Sequence, residues 1–369
     1  MTRNLLAIIL STAVLAMFFG RQWIDPTLAL AALFLLASGW AVALILDRRT
    51  LRFSFPMIPL ACAVAWGALS GGSLELLTWA GNLVVFCLAL RVGRPLLKPL
   101  LAFASVVCVL SVVQRGPFVN RDHYAAFIEM VLPLALSAAF TGRHTLRYAV
   151  ISAAMYASVI ACASRAGAVL TTAEIAILCG AGNLEALADL AVRRSEAPLP
   201  RSGALLGLSE FCESLNLARR RLLAGAVLAA IFVFIAGGAP LWHRLQDPDP
   251  FGGRREILAS TLAMVRARPW TGFGLGTFQT VYPAYASIDF GAVVQHAHND
   301  WAEWAAEGGI PFSLMILSIA IWSARKAWRA PWAIGAVAIL VHALVDFPLH
   351  KPALELWLFA LLGVTASPD

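Results

Sequence analysis

Long apolar runs follow one another along almost the whole chain, separated by short polar connections. A helix that crosses a bilayer needs about 20 mostly apolar residues, within a range of about 17–25. Twelve runs approach that length, so the pattern predicts an all-α fold, a polytopic transmembrane helical bundle. The predicted spans are residues 4–20, 26–46, 55–71, 74–91, 96–113, 124–141, 146–163, 166–182, 221–240, 308–324, 332–348 and 352–366.

Two connections are longer than the rest and divide the chain into units. The units are residues 1–182 with the first eight spans, 183–220 as a linker, 221–240 as the ninth span, 241–307 as a large loop, and 308–369 with the last three spans. Inside the loop, apolar positions from Ile257 to Val265 recur at helical spacing. They predict an amphipathic helix that follows Gly253 and ends before Pro269. The large loop is therefore expected to be partly helical.

Composition agrees with a membrane protein. Hydrophobic residues make up 60% of the chain, charged residues only 13%, and the mean hydropathy is +0.77, whereas soluble domains carry about 25% charged residues. The net charge of +7 does not indicate nucleic acid, because the basic residues form short clusters between apolar runs. Six cysteines without a CxxC pair predict neither disulfides nor cysteine chemistry.

The distribution of lysine and arginine predicts the orientation. With the N-terminus inside and the first run read as an uncleaved span, 18 of the 28 basic residues fall in cytoplasmic connections. Both termini are then cytoplasmic, and residues 241–307 lie on the outer face. This places the chain in the bacterial inner membrane with its polar loop in the periplasm.

Arginines on the outer face oppose the positive-inside bias and need a reason. Arg165 lies at the membrane edge, where an unpaired guanidinium is unfavourable, and Arg254, followed by Arg255, begins the loop helix. Guanidinium groups and a helix N-terminus both bind phosphate oxygens. We interpret them as a diphosphate site, with snorkelling or solvated arginines as the alternative.

The segment VVQHAHNDWAEWAAEGGIPF (293–312) concentrates polar side chains in an otherwise apolar chain. A zinc site is conceivable from His296, His298 and Asp300. It is not favoured, because histidines at i and i+2 point to different faces of a helix and no second cluster completes a tetrahedral shell. Asn299 or Asp300 is predicted to cap a helix, with Glu303 in its first turn. His298 is a candidate base or phosphate-positioning group.

Two further polar groups are mapped to the outer face. Asn120, Arg121 and His123 precede or begin the sixth span, and Asp346 lies one helical turn after His342 near the end of the eleventh. An acidic residue in a span is a functional candidate, and an ion pair with Lys351 or an arginine is the alternative.

The run TGFGLGTF is not a dinucleotide fingerprint, because it follows a helix end rather than a strand. Its glycines predict a tight turn.

Four segments, in order, resemble the O-antigen ligase family of integral membrane glycosyltransferases. They are GPFVNRDHYAAFIEMVLPLAL, SRAG, GGRREILASTLAMVRARPWTGFGLGTF and HAHNDWAEWAAEGGIPF, with a weaker fifth match in HALVDFPLHKPALELWLFALLG. The resemblance covers about the last two-thirds of the chain, and the first four spans are similar only in hydropathy. Two positions depart from the pattern: Asp122 replaces a more usual Asn, and Trp301 a more usual Tyr.

The resemblance implies transfer of a glycan from undecaprenyl diphosphate to an acceptor on the outer face, without a metal or cofactor. The partners would be this lipid-linked donor, a glycan or lipid A-core acceptor, and the bilayer. It implies catalytic roles for Arg165, Arg254 and His298. Arg255, Asn299, Asp300 and the polar residues mapped to the same face would bind or support the substrates.

Two alternatives stay open on sequence alone. Repeat-unit polymerases and protein O-glycosylating enzymes share these segments, so the acceptor is not specified. A flippase or transporter for the same lipid would also carry outward cations, but it would need polar residues in the inner half of the spans. The charged positions lie near the outer ends, which favours the enzyme.

Overall fold

The computed structural model describes residues 53–69, 73–114, 118, 120–141, 145–196, 238–247 and 251–367. In these residues all regular structure is helical and no strand is present, which confirms the predicted all-α class. The spans predicted at 4–20 and 26–46, and nearly all of the one at 221–240, lie outside the described residues.

The helices are named here in chain order. They are α1 Met57–Leu69, α2 Ser73–Val92, α3 Leu97–Gln114, α4 Arg121–Thr141, α5 Thr145–Cys162, α6 Arg165–Glu196, α7 Ala239–Leu245, α8 Arg254–Ala267, α9 Phe278–Val281, α10 Asp300–Ala327, α11 Ala333–His342 and α12 Pro352–Ala366. Short 3₁₀ turns occupy Arg94–Leu96, Tyr282–Ala284 and Pro348–His350.

Four described helical segments are long and apolar enough to cross a membrane. They are Arg94–Ser111, Arg121–Phe140, Thr145–Cys162 and Asp300–Ala327. Four shorter apolar helices lie at Met57–Leu69, Leu77–Val92, Ala333–His342 and Pro352–Ala366. The chain is therefore a helical protein with membrane-spanning character, and the total of twelve spans stays a prediction.

Two helices end at different places from those predicted. Helix α6 continues to Glu196, so helical structure runs into the segment assigned to the linker. Helix α11 ends at His342 instead of residue 348, and residues 343–347 form a turn before Pro348. A residue that precedes proline avoids the α region, which favours an end to the helix in this stretch. The turn carries Asp346 and Phe347 to the candidate site.

The core is built where α12 packs against α2 and α4 packs against α5, α6 and α11. Its largest buried side chains include Trp357, Phe86 and Phe127. Small residues allow these helices to approach closely: a Cβ on Gly363 of α12 would lie 2.4 Å from the carbonyl oxygen of Phe86. Small residues at helix contacts are typical of membrane bundles, in which packing rather than water drives association.

The predicted loop helix is present as α8, and it packs against the first turns of α10. A second apolar cluster joins them, formed by Ile257, Met264, Phe278, Tyr282, Ala297 and Ala306. Between them the TGFGLGTF segment is the tight turn that its glycines predict, with Gly272, Gly274 and Gly276 at positive φ. Its backbone N–H groups at Phe273 and Gly274 donate to carbonyls of α10. The loop is thereby fixed beside the start of that helix.

Candidate active site

His298 lies immediately before α10, and its side chain is 30% exposed. Its Nδ1 is 3.0 Å from Oδ1 of Asp346, which is only 1% exposed. When Nδ1–H donates to this carboxylate, Nε2 keeps its lone pair and can accept a proton. A histidine oriented by a buried carboxylate is the arrangement that general bases use in nucleophilic catalysis.

His298 has a backbone φ of 52°, in the left-handed region. Ala163, two positions before Arg165, has a φ of 58°, and these are the two positive-φ residues other than glycine in the described part of the chain. Left-handed geometry is unfavourable by about 1–2 kcal/mol for a residue with a Cβ. Such strain concentrates at functional sites, and here both cases adjoin a predicted catalytic residue.

Arg254, the first residue of α8, adjoins the same carboxylate. Its Nη1 donates to the carbonyl of Val345 at 2.8 Å, and its Nη2 lies 3.8 Å from Oδ1 of Asp346. The same Nη2 lies 3.8 Å from Oδ2 of Asp122, so the residue that departs from the family pattern adds a negative charge beside Arg254. The guanidinium remains about one-third exposed.

Arg165 begins α6 and meets the short helix α7. Its Nη1 donates to the carbonyl of Arg244 at 3.3 Å and lies 3.9 Å from Asp247, while Nη1 of Arg244 donates to the carbonyl of Ala163 at 2.9 Å. Each of the two arginines thus donates to a backbone carbonyl at or near the other arginine. The position of Arg165 is fixed by contacts that leave its side chain 24% exposed.

Positive charge converges on Arg244, a residue that the sequence interpretation did not select. Burial lowers the pKa of the Arg244 guanidinium, and the charges of three nearby arginines lower it further. These are Arg121, Arg165 and Arg254. The two predicted phosphate-binding arginines therefore belong to one cationic group at the first residues of α4, α6 and α8. Arg244, the fourth member of this group, was visible in the sequence as another arginine mapped to the outer face.

Phe347 joins the histidines from different segments. His123, His296 and His298 all pack on its ring, with centroid separations of 4.8, 4.4 and 4.9 Å. His123 is buried and lies 3.4 Å from the side-chain amide of Asn120. His123, from the polar group predicted at the sixth span, therefore contacts the site through this aromatic ring. Phe347 is uncharged, so its place in the sequence gave no sign that it belongs to the site.

Asn299 is the predicted N-cap. Its Oδ1 accepts the N–H of Ala302 at 2.9 Å, and its Nδ2 donates to the carbonyl of Leu344 at 2.8 Å. Satisfying a free N–H in the first turn is the usual role of this residue type. The cap also fixes the turn after α11 against the start of α10, and so positions Asp346 relative to His298.

Asp300 is completely buried and bonds to the 3₁₀ turn before α12. Its carboxylate accepts the N–H of Leu349 at 2.8 Å and a hydrogen bond from Nδ1 of His350. Burial by itself lowers the pKa of His350, but the carboxylates of Glu303 and Asp300 outweigh it, and the pKa of His350 lies well above its ordinary value. Asp300 thus supports the site through His350, a histidine that was not selected from the sequence.

Three side chains could together hold a metal ion, since their ligand atoms lie within 4.8 Å of one another. They are His296, Glu303 and His350. Oε1 of Glu303 lies 2.9 Å from Nδ1 of His296 and 3.3 Å from Nε2 of His350. The prediction of no metal rested on the lack of a second ligand cluster in the sequence, but the fold brings His350 to His296 and Glu303. The three groups are also satisfied by bonding to one another, so the absence of a metal stays a prediction.

Two other polar groups lie apart from the His298 cluster. Arg255 is exposed and packs over the ring of Phe251 at 5.4 Å, and none of the contacts described for it reaches His298 or Asp346. His342 bonds through Nδ1 to Glu129 at 2.7 Å, and both are buried. Glu129 was not selected, although an acidic residue in the middle of an apolar run is a signal in itself.

The family model described as O-antigen ligase matches residues 150–317. Over these residues the chain is similar to the O-antigen ligase family. The match spans Arg165, Arg254 and His298 and supports the resemblance in three of the four ordered segments, since the first segment precedes residue 150. The coarse activity follows from it: members of the O-antigen ligase family are membrane glycosyltransferase-type enzymes. No curated protein shows significant sequence similarity to the chain.

Proposed function

We propose that the protein transfers a glycan from undecaprenyl diphosphate to an acceptor hydroxyl on the periplasmic face of the bacterial inner membrane. The observation that carries the proposal is the contact of His298 with buried Asp346, beside Arg254 on the same carboxylate oxygen. A base and a phosphate-binding cation thus lie together in residues that the topology maps to the outer face.

The reaction needs one bond to form and one to break. The acceptor oxygen attacks the anomeric carbon of the donor glycan and loses its proton to Nε2 of His298. The bond from the anomeric carbon to the diphosphate oxygen breaks, and its electron pair leaves with undecaprenyl diphosphate. Asp346 stabilises the positive imidazolium that forms.

The arginines stabilise the departing charge. Arg254 and Arg165 provide planar N–H forks for diphosphate oxygens, and Arg244 and Arg121 add to the positive potential at the same place. Their charge acts most strongly when the diphosphate carries its full negative charge, which is late in the reaction. Stabilisation that grows along the reaction accelerates it. In this mechanism the protein's own side chains suffice, without a metal or cofactor.

The test is transfer in vitro by the full chain in lipid nanodiscs, from a defined undecaprenyl-diphosphate glycan. A lipid A-core molecule and a second lipid-linked glycan are offered separately as acceptors. Transfer to the core supports a ligase, and lengthening of the lipid-linked glycan supports a repeat-unit polymerase. If donor is bound but neither acceptor, nor an acceptor protein, receives glycan, glycosyl transfer is contradicted.

A further inference from the structure

A cavity of about 340 Å³ opens beside the candidate site. Its walls come from the start of α2, the turn at 275–279, residues 295–296, the first turns of α10, and residues 349–355. A volume of this size lies within the range of small-ligand pockets, about 300–1,000 Å³. His298, Asp346 and the arginines are not among its lining residues, so the mechanism proposed above leaves it without a role.

The lining combines aromatic surface with uncharged hydrogen-bonding groups. Trp79 and Trp304 form part of the inner wall, while the exposed amides of Gln279 and Gln295 lie toward solvent. A sugar ring presents C–H groups on its faces and hydroxyl groups around its edge. Aromatic rings pack against such faces, and amides donate to and accept from hydroxyls. The lining therefore suits a sugar ring.

Charge separates this cavity from the diphosphate site. The described residues that line it include Glu303, Glu307 and Glu355, one lysine and two histidines, but no arginine. The cationic group of Arg121, Arg165, Arg244 and Arg254 lies elsewhere. Without an arginine the lining lacks the planar N–H forks that hold diphosphate oxygens, which a neutral ring does not need.

The position of the cavity relative to His298 fixes which sugar it would take. His296 lines the cavity and stacks on Phe347 at 4.4 Å, and His298 packs on the same ring at 4.9 Å. Arg254 contacts the same Asp346 oxygen as His298 but does not line the cavity. In a single displacement, the attacking and leaving groups lie on opposite faces of the donor sugar. His298 is the group that takes the acceptor's proton, and the cavity adjoins it through Phe347 with no arginine in the lining, so the cavity is assigned to the acceptor and not to the diphosphate.

We propose that this cavity binds an acceptor sugar, namely a neutral or amino hexose adjoining the hydroxyl that is glycosylated. The inference rests on the proposed function and assigns the acceptor side of that site. Gln279 and Gln295 hold the hydroxyls of the ring, and Trp79 and Trp304 form its apolar wall.

The test uses the double variant Gln279→Ala/Gln295→Ala of the full chain in nanodiscs. Both glutamines are exposed, so folding should be retained. The KM for a lipid A-core or lipid-linked glycan acceptor, whichever the parent uses, should rise about tenfold, as expected from the loss of two neutral hydrogen bonds. The KM for the undecaprenyl-diphosphate donor should not change. Gln246→Ala, at an exposed glutamine outside the cavity, is the matched control.

A second variant fills the cavity opening. Gln295→Trp should also raise the acceptor KM, while binding of the lipid-linked donor, measured without acceptor, stays at the parent level. A rise in the donor KM alone would assign the cavity to the donor glycan and overturn the inference. Unchanged KM values for both substrates in both variants would overturn it as well. Either result leaves the proposed function standing, whereas a parent without transfer activity would contradict that function first.

Discussion

At the residue scale, the candidate site depends on the shape of arginine. Lysine carries the same charge but lacks the planar guanidinium. Arg254→Lys and Arg165→Lys should each lose activity by about 10²-fold, the scale seen when one donor to developing charge is removed. An ammonium cannot reproduce the planar fork that binds two phosphate oxygens, nor can it keep the contact of Arg254 with Val345. Transfer rates and donor binding should be measured together.

Arg266→Lys is the control for these variants, because Arg266 lies on the exposed face of α8, the helix that begins at Arg254. It should keep near-parental transfer and expression. Full transfer activity in Arg165→Lys and Arg254→Lys would assign both arginines to topology or folding instead of the reaction.

His298 is the residue at which proton transfer can be separated from simple hydrogen bonding. His298→Asn keeps a polar side chain that can reach Asp346, but it cannot take up a proton from the acceptor. Loss of about 10²–10⁴-fold in transfer is expected for general base catalysis, with donor binding retained.

His296→Asn is the internal control for His298, since both rings pack on Phe347. It should reduce transfer much less, and a chelator should change nothing. Activity of His298→Asn within a few-fold of the parent would remove the base from the mechanism. Equal, severe losses at both histidines, rescued by zinc, would instead point to a metal held by His296, Glu303 and His350.

At the scale of elements, the turn after α8 must be held against α10. Gly272 has a φ of 63°, and a Cβ there would lie 2.1 Å from the carbonyl oxygen of Glu307. The carboxylate of Glu307 accepts the N–H groups of Gly276 and Phe278 at 2.9 and 2.7 Å. Gly272→Ala should therefore displace the turn, lower the melting temperature and expose residues 268–282 to protease.

Gly291→Ala is matched to this change, because its φ is 64° but no atom lies within 4 Å of the added Cβ. It should destabilise the protein by about 1–2 kcal/mol through the left-handed backbone alone. Gly272→Ala should destabilise it clearly more, since the clash is with backbone. Equal melting temperatures for the two variants would show that close docking of the turn does not contribute to stability.

For the whole molecule, the contacts bring together positions that the predicted alternation of spans places on one side of the membrane. Arg254 meets Asp122, His298 meets Asp346, and Asp300 meets His350. Every one of these positions was mapped to the outer side from the alternation of spans. Groups from distant segments converge at one end of the bundle, as a site on a single membrane face requires.

Cysteine labelling tests this orientation directly. In a variant without the six native cysteines, Ala286→Cys, at an exposed position of the loop, should react with an impermeant maleimide added to the periplasmic side. Ser202→Cys should react only after the cytoplasm is opened. Labelling both before and after disruption of the membrane controls for buried positions. Reaction of both cysteines from the same side would contradict the topology and the placement of the site.

Sequence by itself determined the elements with strong periodic signals. Apolar runs set the helical class, the spacing from Ile257 to Val265 gave α8, and Asn299 before an apolar run gave the cap. Each of these depends on neighbours within one or two helical turns, so local pattern suffices. The ends of helices were less accurate: residues 343–347 are mostly apolar, and hydropathy alone cannot show that α11 stops at His342.

Tertiary structure alone decided which polar groups meet. His298 and Asp346 are 48 positions apart, and nothing local to either residue specifies the other. Phe347 and His350 enter the site only because the turn after α11 packs on the start of α10, and the cavity needs walls from five separate segments. The sequence therefore identified candidate charges one by one. Their pairing, their burial and the space beside them follow from packing between distant helices, which local spacing does not encode.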